Sequence, residues 1–239
     1  MLHLNLSRFS NTDLETISHY QSAYLDSLYF GRVNNANELI NGREYIPYYF
    51  KCRIKPLLFE DMKRNGSMLF NGRKYNDLTL EYDTYLDQLI YSDSSKLIDN
   101  KIFKIEMNKD MVEEFRLYFK YDSMVFRHFR TGTGSWFNLE DGFYEVVYDG
   151  ASKFIIRHRS LPVEQDGMYE YRSVPSKYLQ TTSNFSRVRS ARSFVKMFGT
   201  YSGRVRQYMR TNRIHFPRAG KKEVAAVLKY YDSLATSGK

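Results

Sequence analysis

The sequence predicts an α+β protein with a central antiparallel β-sheet, an N-terminal helix and a C-terminal cluster of three short helices. Apolar residues recur at helical spacings near the start of the chain and after Ser190, and they alternate with polar residues over much of 66–186. No helical stretches of about 10–15 residues separate the predicted strands, which favours antiparallel pairing. We therefore divide the chain into an N-terminal helix and aromatic-rich arm (1–65), an antiparallel β domain (66–186) and a basic helical C-terminal region (187–239).

The composition is that of a globular protein. The chain has 239 residues, of which 42% are hydrophobic and 26% charged, and this balance excludes an intrinsically disordered polymer. The 13 glycines and 5 prolines are too few for collagen-like or low-complexity classes. A single cysteine, Cys52, excludes an internal disulfide framework and a cysteine-based zinc cage. No apolar run approaches the roughly 18 residues of a membrane-spanning helix, so we expect no transmembrane segment.

Residues 12–30 are predicted to form an amphipathic helix, because their apolar side chains recur every three or four positions. Ser10 or Thr12 is the candidate cap at its start, and Thr12 and Glu15 have the spacing of a capping box. The stripe is typical of a helix face that docks on the rest of a protein, and it consists of Leu14, Ile17, Tyr20, Tyr24, Leu25 and Leu28. The stretch 41–59 loses this period at its glycine and prolines, so we interpret it as an irregular arm.

Strands are predicted in the middle of the chain. Leu78, Leu80 and Tyr82 alternate with polar residues, and a period of two buries one face of a strand. Turns are predicted at Asn71-Gly72 and around Asp83-Thr84. The stretches 168–171 and 178–188 suggest a strand pair joined through Pro175.

The strongest local signal is Asp149-Gly150, which lies between two β-branched and aromatic runs, 143–148 and 151–158. This pattern predicts a β-hairpin with a two-residue type I′ turn, because both central residues of that turn need positive φ.

Three short amphipathic helices are predicted after Ser190. The first carries the apolar residues Ala191, Phe194, Val195 and Phe198 and ends at Gly199. The second, with Ser202 as its cap, carries Val205, Tyr208 and Met209. The third follows Pro217 and Gly220 and carries Val224, Val227, Leu228, Tyr231 and Leu234.

The positive charge of the chain is concentrated in its last quarter. Residues 187–239 contain 13 basic and 2 acidic side chains, a net charge of +11, whereas the preceding 186 residues contain 23 basic and 25 acidic ones, a net charge of −2. Such a basic end attracts phosphate on nucleic acid, lipid headgroups or an anionic glycan. The alternative is a solvated helix face that needs no partner.

Six arginines are the candidate polyanion-binding residues. Arg206, Arg210 and Arg213 have the spacing i, i+4 and i+7, which on a helix places them on one face. The other three, which lie just upstream, are Arg187, Arg189 and Arg192. Tyr201 or Tyr208 is a candidate for stacking a base. No zinc finger or RNA-recognition motif accompanies these residues.

The sequence predicts no catalytic residue, no metal site and no cofactor. Its five histidines are scattered, and it lacks the HExxH, Walker and GxSxG motifs. Four acidic residues near position 80 are interpreted as a solvated strand edge, whose charges discourage aggregation. The weaker alternative is that two of them are the catalytic carboxylates of a glycosidase. The four residues are Asp77, Glu81, Asp83 and Asp87.

Several segments resemble an uncharacterised protein family of Bacteroidota, over roughly residues 40–235. They are 41–45, 75–83 with 87–91, 142–150 and 210–214. These signatures are strand and turn sequences, so the resemblance transfers no activity. Members of that family are typically exported, which implies a periplasmic or envelope location once a leader has been removed. The start of this chain lacks the charged and apolar regions of a leader, and the other expectation is a cytoplasmic protein.

We therefore expect a non-enzymatic structural or binding protein of the bacterial cell envelope, with a protein or glycan as a possible ligand of its tyrosine-rich surface. The alternative is binding of nucleic acid or another polyanion by the basic C-terminal helices. A weaker alternative is a glycan hydrolase that uses Asp83 and Asp87.

Overall fold

The computed structural model describes residues 42–47, 51–59, 63–98, 101–131 and 139–237, together with Leu39. The chain divides into two compact units, Met1–Arg43 and Glu44–Lys239, and nearly all the described residues belong to the second. The predicted helix at 12–30 lies outside the described residues. The described part confirms the broad α+β class, because a large, mostly antiparallel sheet is followed by helices near the C-terminus.

Between Arg43 and Val188 the described residues are mostly β-strand, and helices follow after residue 190. The strands are β1 (Arg43–Glu44), β2 (Cys52–Ile54), β3 (Arg64–Phe70), β4 (Arg73–Asp83), β5 (Gln88–Ile98), β6 (Lys101–Glu106), β7 (Val112–Tyr118), β8 (Ser123–Phe129), β9 (Gly142–Asp149), β10 (Lys153–Arg157), β11 (Ser160–Gln165), β12 (Met168–Ser173), β13 (Ser176–Gln180) and β14 (Ser186–Val188). The α-helices described after residue 190 are α1 (Ala191–Lys196), α2 (Ser202–Thr211) and α3 (Lys221–Ser237). An 11-stranded sheet has the order β1-β6-β5-β4-β3-β7-β8-β9-β10-β13-β14, and a 3-stranded sheet has the order β11-β12-β2.

Two hairpins have the two-residue turns that their sequences favour. Asn71 and Gly72 have φ of 50° and 73°, and they join Phe70 to its partner Arg73. Asp166 and Gly167 have φ of 54° and 73°, and they connect β11 to β12. Positive φ at both central residues matches the right-handed twist of the flanking strands. The predicted turn at Asn71-Gly72 is confirmed.

The hairpin at Asp149-Gly150 forms, but the predicted type I′ turn is wrong. Asp149 pairs with Lys153, so three residues lie in the loop, and Gly150 does not have positive φ. A close approach explains this glycine instead. A Cβ atom there would lie 2.5 Å from the hydroxyl of Tyr148 and 2.7 Å from Oδ2 of Asp232 on α3.

The predicted pairing of 168–171 with 178–188 is also wrong. Strand β12 pairs with β11 on one side and, in parallel, with β2 on the other. Strand β13 pairs with β10 and β14. The turn at Asp166-Gly167 folds β12 back on the strand before it, and this short-range closure places β12 in the small sheet.

The large sheet curls so that strands far apart in it share one aromatic core. The ring of Tyr82 on β4 lies 5.5 Å from Phe115 on β7, 5.4 Å from Phe126 on β8 and 6.0 Å from Phe143 on β9, measured between centroids. All four side chains are fully buried. Burial, and then the neighbouring Asp87 carboxylate, raise the pKa of Tyr82 well above its usual value, so its hydroxyl remains a hydrogen-bond donor.

A buried polar network stabilises this curl. Asp87, in the β4–β5 turn, accepts hydrogen bonds from the Tyr82 hydroxyl at 2.5 Å and from Lys109 Nζ at 2.8 Å. Arg157 Nη2 on β10 lies 3.4 Å from the same carboxylate. Gly142 on β9 lets these groups approach, because a Cβ there would lie 2.5 Å from Asp87 Oδ2 and 2.6 Å from Arg157 Nη2. The network therefore joins the β4–β5 turn to β9 and β10.

The three helices pack against one face of the sheet near β9, β10, β13 and β14. Phe154 and Leu179 of the sheet belong to the same buried cluster as Phe194, Val227 and Leu228 of the helices. The predicted apolar stripes of α1 and α3 are confirmed at their central residues, which are Phe194, Val195, Phe198, Val224, Val227 and Leu228. None of the helices in the described ranges is both long and apolar enough to cross a lipid bilayer.

The start of α2 corrects one predicted cap. Ser190 caps α1, and its hydroxyl accepts a hydrogen bond from the Ser193 backbone at 3.1 Å. Ser202 does not cap α2, because a 3-10 turn over Gly199–Tyr201 leads directly into this helix and leaves no extended cap residue. Gly199 has φ of 56°, as expected for a glycine that ends a helix.

The C-terminal end of α2 determines the direction of the segment that follows it. The helix ends at Thr211, and Arg213 adopts the left-handed conformation with φ of 56°. The Ile214 N–H donates to Met209 O at 2.8 Å and the Arg213 N–H donates to Arg210 O at 3.1 Å, the two bonds of a Schellman motif. This turn directs Ile214 and Phe216 into the core.

Candidate functional site

A groove of about 350 Å³ lies between α1, α2 and the segment that follows α2. Its apolar lining consists of Ala191, Val195, Met209, Ile214 and Phe216. Its polar lining consists of Arg192, Arg206, Arg210 and His215. We call this the arginine groove. Three of the six arginines that the sequence singles out therefore line one cavity.

The helices place these arginines at the rim. Arg192 lies in the first turn of α1, while Arg206 and Arg210 are one turn apart on α2. Val205 and Met209 are buried and fix α2 against the core, so Arg206 and Arg210, which directly follow them in the chain, are exposed. Cationic groups from two helices thus line one opening.

The described residues do not neutralise the charge of the arginine groove. Within the described ranges, no carboxylate forms an ion pair with Arg192, Arg206 or Arg210. By contrast, Arg127 is paired with Glu114 and Asp149, and Arg157 with Asp87 and Glu140. An unpaired cluster of guanidinium groups attracts anions and offers them bidentate hydrogen bonds.

Aromatic packing positions Phe216, one of the residues that line the groove. Phe216 stacks on Phe194 with centroids 4.4 Å apart and an interplanar angle of 6°. Lys177 Nζ lies 5.0 Å from the Phe216 centroid and donates to Pro217 O at 2.8 Å. Partial burial lowers the pKa of this lysine. These contacts hold the Phe216 ring in place at the groove.

The other three arginines lie outside the groove lining. Arg187 is on β14 and donates to Ser176 Oγ at 2.9 Å. Arg189 precedes α1. Arg213 is not on the face predicted for it, because α2 ends at Thr211 and the backbone turns left-handed at 213. All three are exposed, so their charges are accessible from solvent.

The two tyrosines proposed to stack bases are half-buried, and each contacts another tyrosine of the protein. Tyr208 stacks on Tyr230 of α3 with centroids 4.3 Å apart, and Tyr201 packs edge-on against Tyr231 at 6.1 Å. The groove contains a different aromatic side chain, His215, which the sequence analysis did not select. No periodic pattern marks this histidine, because it lies in the irregular segment between α2 and α3.

The acidic residues near 80 do not form a two-carboxylate cleft. Asp83 is fully buried and accepts hydrogen bonds from the Tyr45 hydroxyl at 3.0 Å and from two backbone N–H groups of the following turn. Glu81 pairs with Lys104 at 2.7 Å. Asp87 belongs to the separate network with Arg157 described above. These contacts are those of structural carboxylates.

A second cavity, of about 400 Å³, lies between β8, β9 and the start of α3. Phe59 and Phe119 form one wall, and the buried Glu145 lies on its lining. Glu145 forms an ion pair with Lys221 through Oε1, and its Oε2 lies 2.8 Å from Nε2 of His158. Because its acidic and basic groups are paired, this cavity lacks the charge excess of the arginine groove.

No group of three or more histidine, cysteine or acidic side chains in the described ranges is arranged to hold a metal ion. No protein-family model matches this chain, and no match was found among curated proteins or solved structures. The geometry of the arginine groove is therefore the basis for the function proposed below.

Proposed function

We propose that this chain is a binding protein that holds a polyanion at the arginine groove. The observation that carries the proposal is the convergence of Arg192, Arg206 and Arg210 on one cavity without carboxylate partners in the described ranges. Guanidinium groups bind phosphate and sulfate oxygens through two parallel hydrogen bonds. The proposal joins the expected binding role to the polyanion ligand suggested by the basic C-terminal region.

A polymeric anion fits better than a small one. Outside the groove lining, the same C-terminal region carries further exposed basic residues, namely Arg187, Arg189, Lys196, Arg204, Arg213 and Arg218. A small anion occupies one site, whereas a polymer contacts several cations and releases its condensed counterions. The net charge of +11 on 187–239 supports attraction along an extended surface.

An envelope location is part of the proposal and is supported only by the resemblance to exported proteins. Fractionation of the native organism with an antibody to this chain tests it. Recovery with the envelope supports the location, and recovery with the cytoplasm contradicts it without affecting the binding role.

A salt titration tests the binding role. The full chain is titrated with inorganic polyphosphate at several salt concentrations, and the triple variant Arg192→Ala, Arg206→Ala, Arg210→Ala is compared with it. Loss of three phosphate contacts should flatten the slope of log K against log salt by about 2. The matched control, Arg73→Ala, Lys74→Ala, Lys120→Ala, removes three exposed charges from the β region and should leave most of the slope intact. Absence of binding at low salt, or equal slopes in both variants, contradicts the proposal.

A further inference from the structure

We infer that the polyanion is single-stranded nucleic acid and that one of its bases enters the arginine groove beside His215. The inference rests on the proposed function and specifies its ligand. It follows from three properties of the groove, which are the placement of its arginines, its apolar lining and the exposed imidazole ring of His215.

The arginines come from two helices that border the same opening. Arg192 is on α1, and Arg206 and Arg210 are on α2. A single strand can lay its phosphates along this rim while a base points between the helices, the arrangement that single-strand binding grooves use. A duplex keeps its bases stacked inside, so it reaches the rim with phosphates only unless a base is flipped out.

The lining of the groove favours a base over the other groups that polyanions carry. Val195, Met209 and Ile214 are buried apolar side chains, and they offer no hydrogen bonds to a sulfated sugar or a bare phosphate chain. The faces of a base are apolar and gain from contact with such a surface. A volume of about 350 Å³ lies within the range of small-ligand pockets, about 300–1,000 Å³, and suits a single inserted ring system.

His215 is the side chain of the groove best placed to stack on the base. It is exposed, and no hydrogen bond or ion pair of its imidazole is formed with the described residues. Phe216 is less available, because Phe194 stacks on its ring and Lys177 also lies close to it. Histidine rings and arginine guanidinium planes both stack on unpaired bases.

The experiment compares ligands that differ only in their bases. Fluorescence anisotropy of the full chain is measured with a labelled twelve-residue oligothymidylate, an abasic oligomer of the same length and a twelve-base-pair duplex, at one low salt concentration. We expect the oligothymidylate to bind about tenfold more tightly than the abasic oligomer. We also expect it to bind more tightly than the duplex.

The variant His215→Ala separates stacking from charge. It should weaken oligothymidylate binding about tenfold and leave abasic binding unchanged, whereas His215→Phe should restore the base-dependent part. Equal affinity for the thymidylate and abasic oligomers overturns this inference while leaving the proposed polyanion binding intact. An unchanged affinity of His215→Ala for oligothymidylate also overturns it. Absence of binding to all three ligands contradicts both proposals.

Discussion

The carboxylate of Asp232 on α3 accepts a hydrogen bond of 2.9 Å from the hydroxyl of Tyr148 on β9. The same carboxylate accepts the Ser152 backbone N–H at 3.0 Å, in the loop between β9 and β10. One helical side chain thus fixes both a strand and its hairpin loop, with Gly150 leaving the space for it. This contact holds α3 on the sheet that also supports α1 and α2.

Replacement of Asp232 by alanine should destabilise the protein, because the Tyr148 hydroxyl and the Ser152 N–H both lose their acceptor. Loss of a partner for partly buried donors costs about 1–3 kcal/mol of unfolding free energy. Urea denaturation measures the change. The control Ser233→Ala alters the neighbouring exposed position and should have a much smaller effect, and equal stabilities of the two variants would contradict this role of Asp232.

The pKa of Tyr148 should depend on the same contact. Burial, and then the hydrogen bond to Asp232, raise it to about 12. Because this folded value exceeds the unfolded value of about 10, the contribution of Tyr148 to stability is complete below pH 10 and is lost as the pH rises towards 12. NMR titration of the tyrosine Cζ resonances, assigned with Tyr148→Phe, should show a lower pKa in Asp232→Asn. An unchanged pKa would exclude the hydrogen bond as a cause.

Substitution of Gly142 by alanine should disrupt the network beneath the curled sheet. The new Cβ would overlap Asp87 Oδ2 and Arg157 Nη2, and separation of this mostly buried ion pair should cost about 3–5 kcal/mol. The matched control is Gly203→Ala on α2, where a Cβ meets nothing within 4 Å and should stabilise the helix by about 0.5–1 kcal/mol. Thermal unfolding distinguishes the two, and a stable Gly142→Ala protein would contradict the described packing.

Arg213→Gly should stabilise the protein, because glycine adopts the left-handed conformation at this position without steric cost. We expect a gain of about 0.5–1 kcal/mol, reduced by the greater freedom of glycine in the unfolded chain. Gln207→Gly, in the middle of α2, is the opposite case and should cost about 1 kcal/mol. A loss of stability in Arg213→Gly, measured by urea denaturation, would show that the arginine side chain makes a contact that outweighs the strain.

The sequence predicts the local elements well, because each depends on neighbouring residues. The alternation of Leu78, Leu80 and Tyr82 and the stripe of Phe194, Val195 and Phe198 both correspond to buried faces. The sequence-based predictions are wrong where a residue's conformation depends on contacts with residues that are distant in the chain. Gly150 looks like a turn residue in sequence, but its environment is set by Asp232, more than 80 positions away.

The candidate site was predictable only in part for the same reason. The charge of 187–239 identifies the region, and the spacing of Arg206 and Arg210 correctly places them on one helical turn. Arg192 lies beside these two arginines only because α1 packs against α2, and the sequence does not show this packing. His215 reaches the groove because the backbone turns left-handed at Arg213. Arginine rarely adopts this conformation, so the sequence does not predict the turn.

The most direct test of polyanion binding at the arginine groove is NMR observation of the arginine Nε–Hε groups during titration with inorganic polyphosphate. The resonances of Arg192, Arg206 and Arg210 should shift first and most, while those of Arg53 and Arg172 in the small sheet should remain in place. Shifts confined to arginines outside the groove, or no shifts at saturating polyphosphate, would contradict the account.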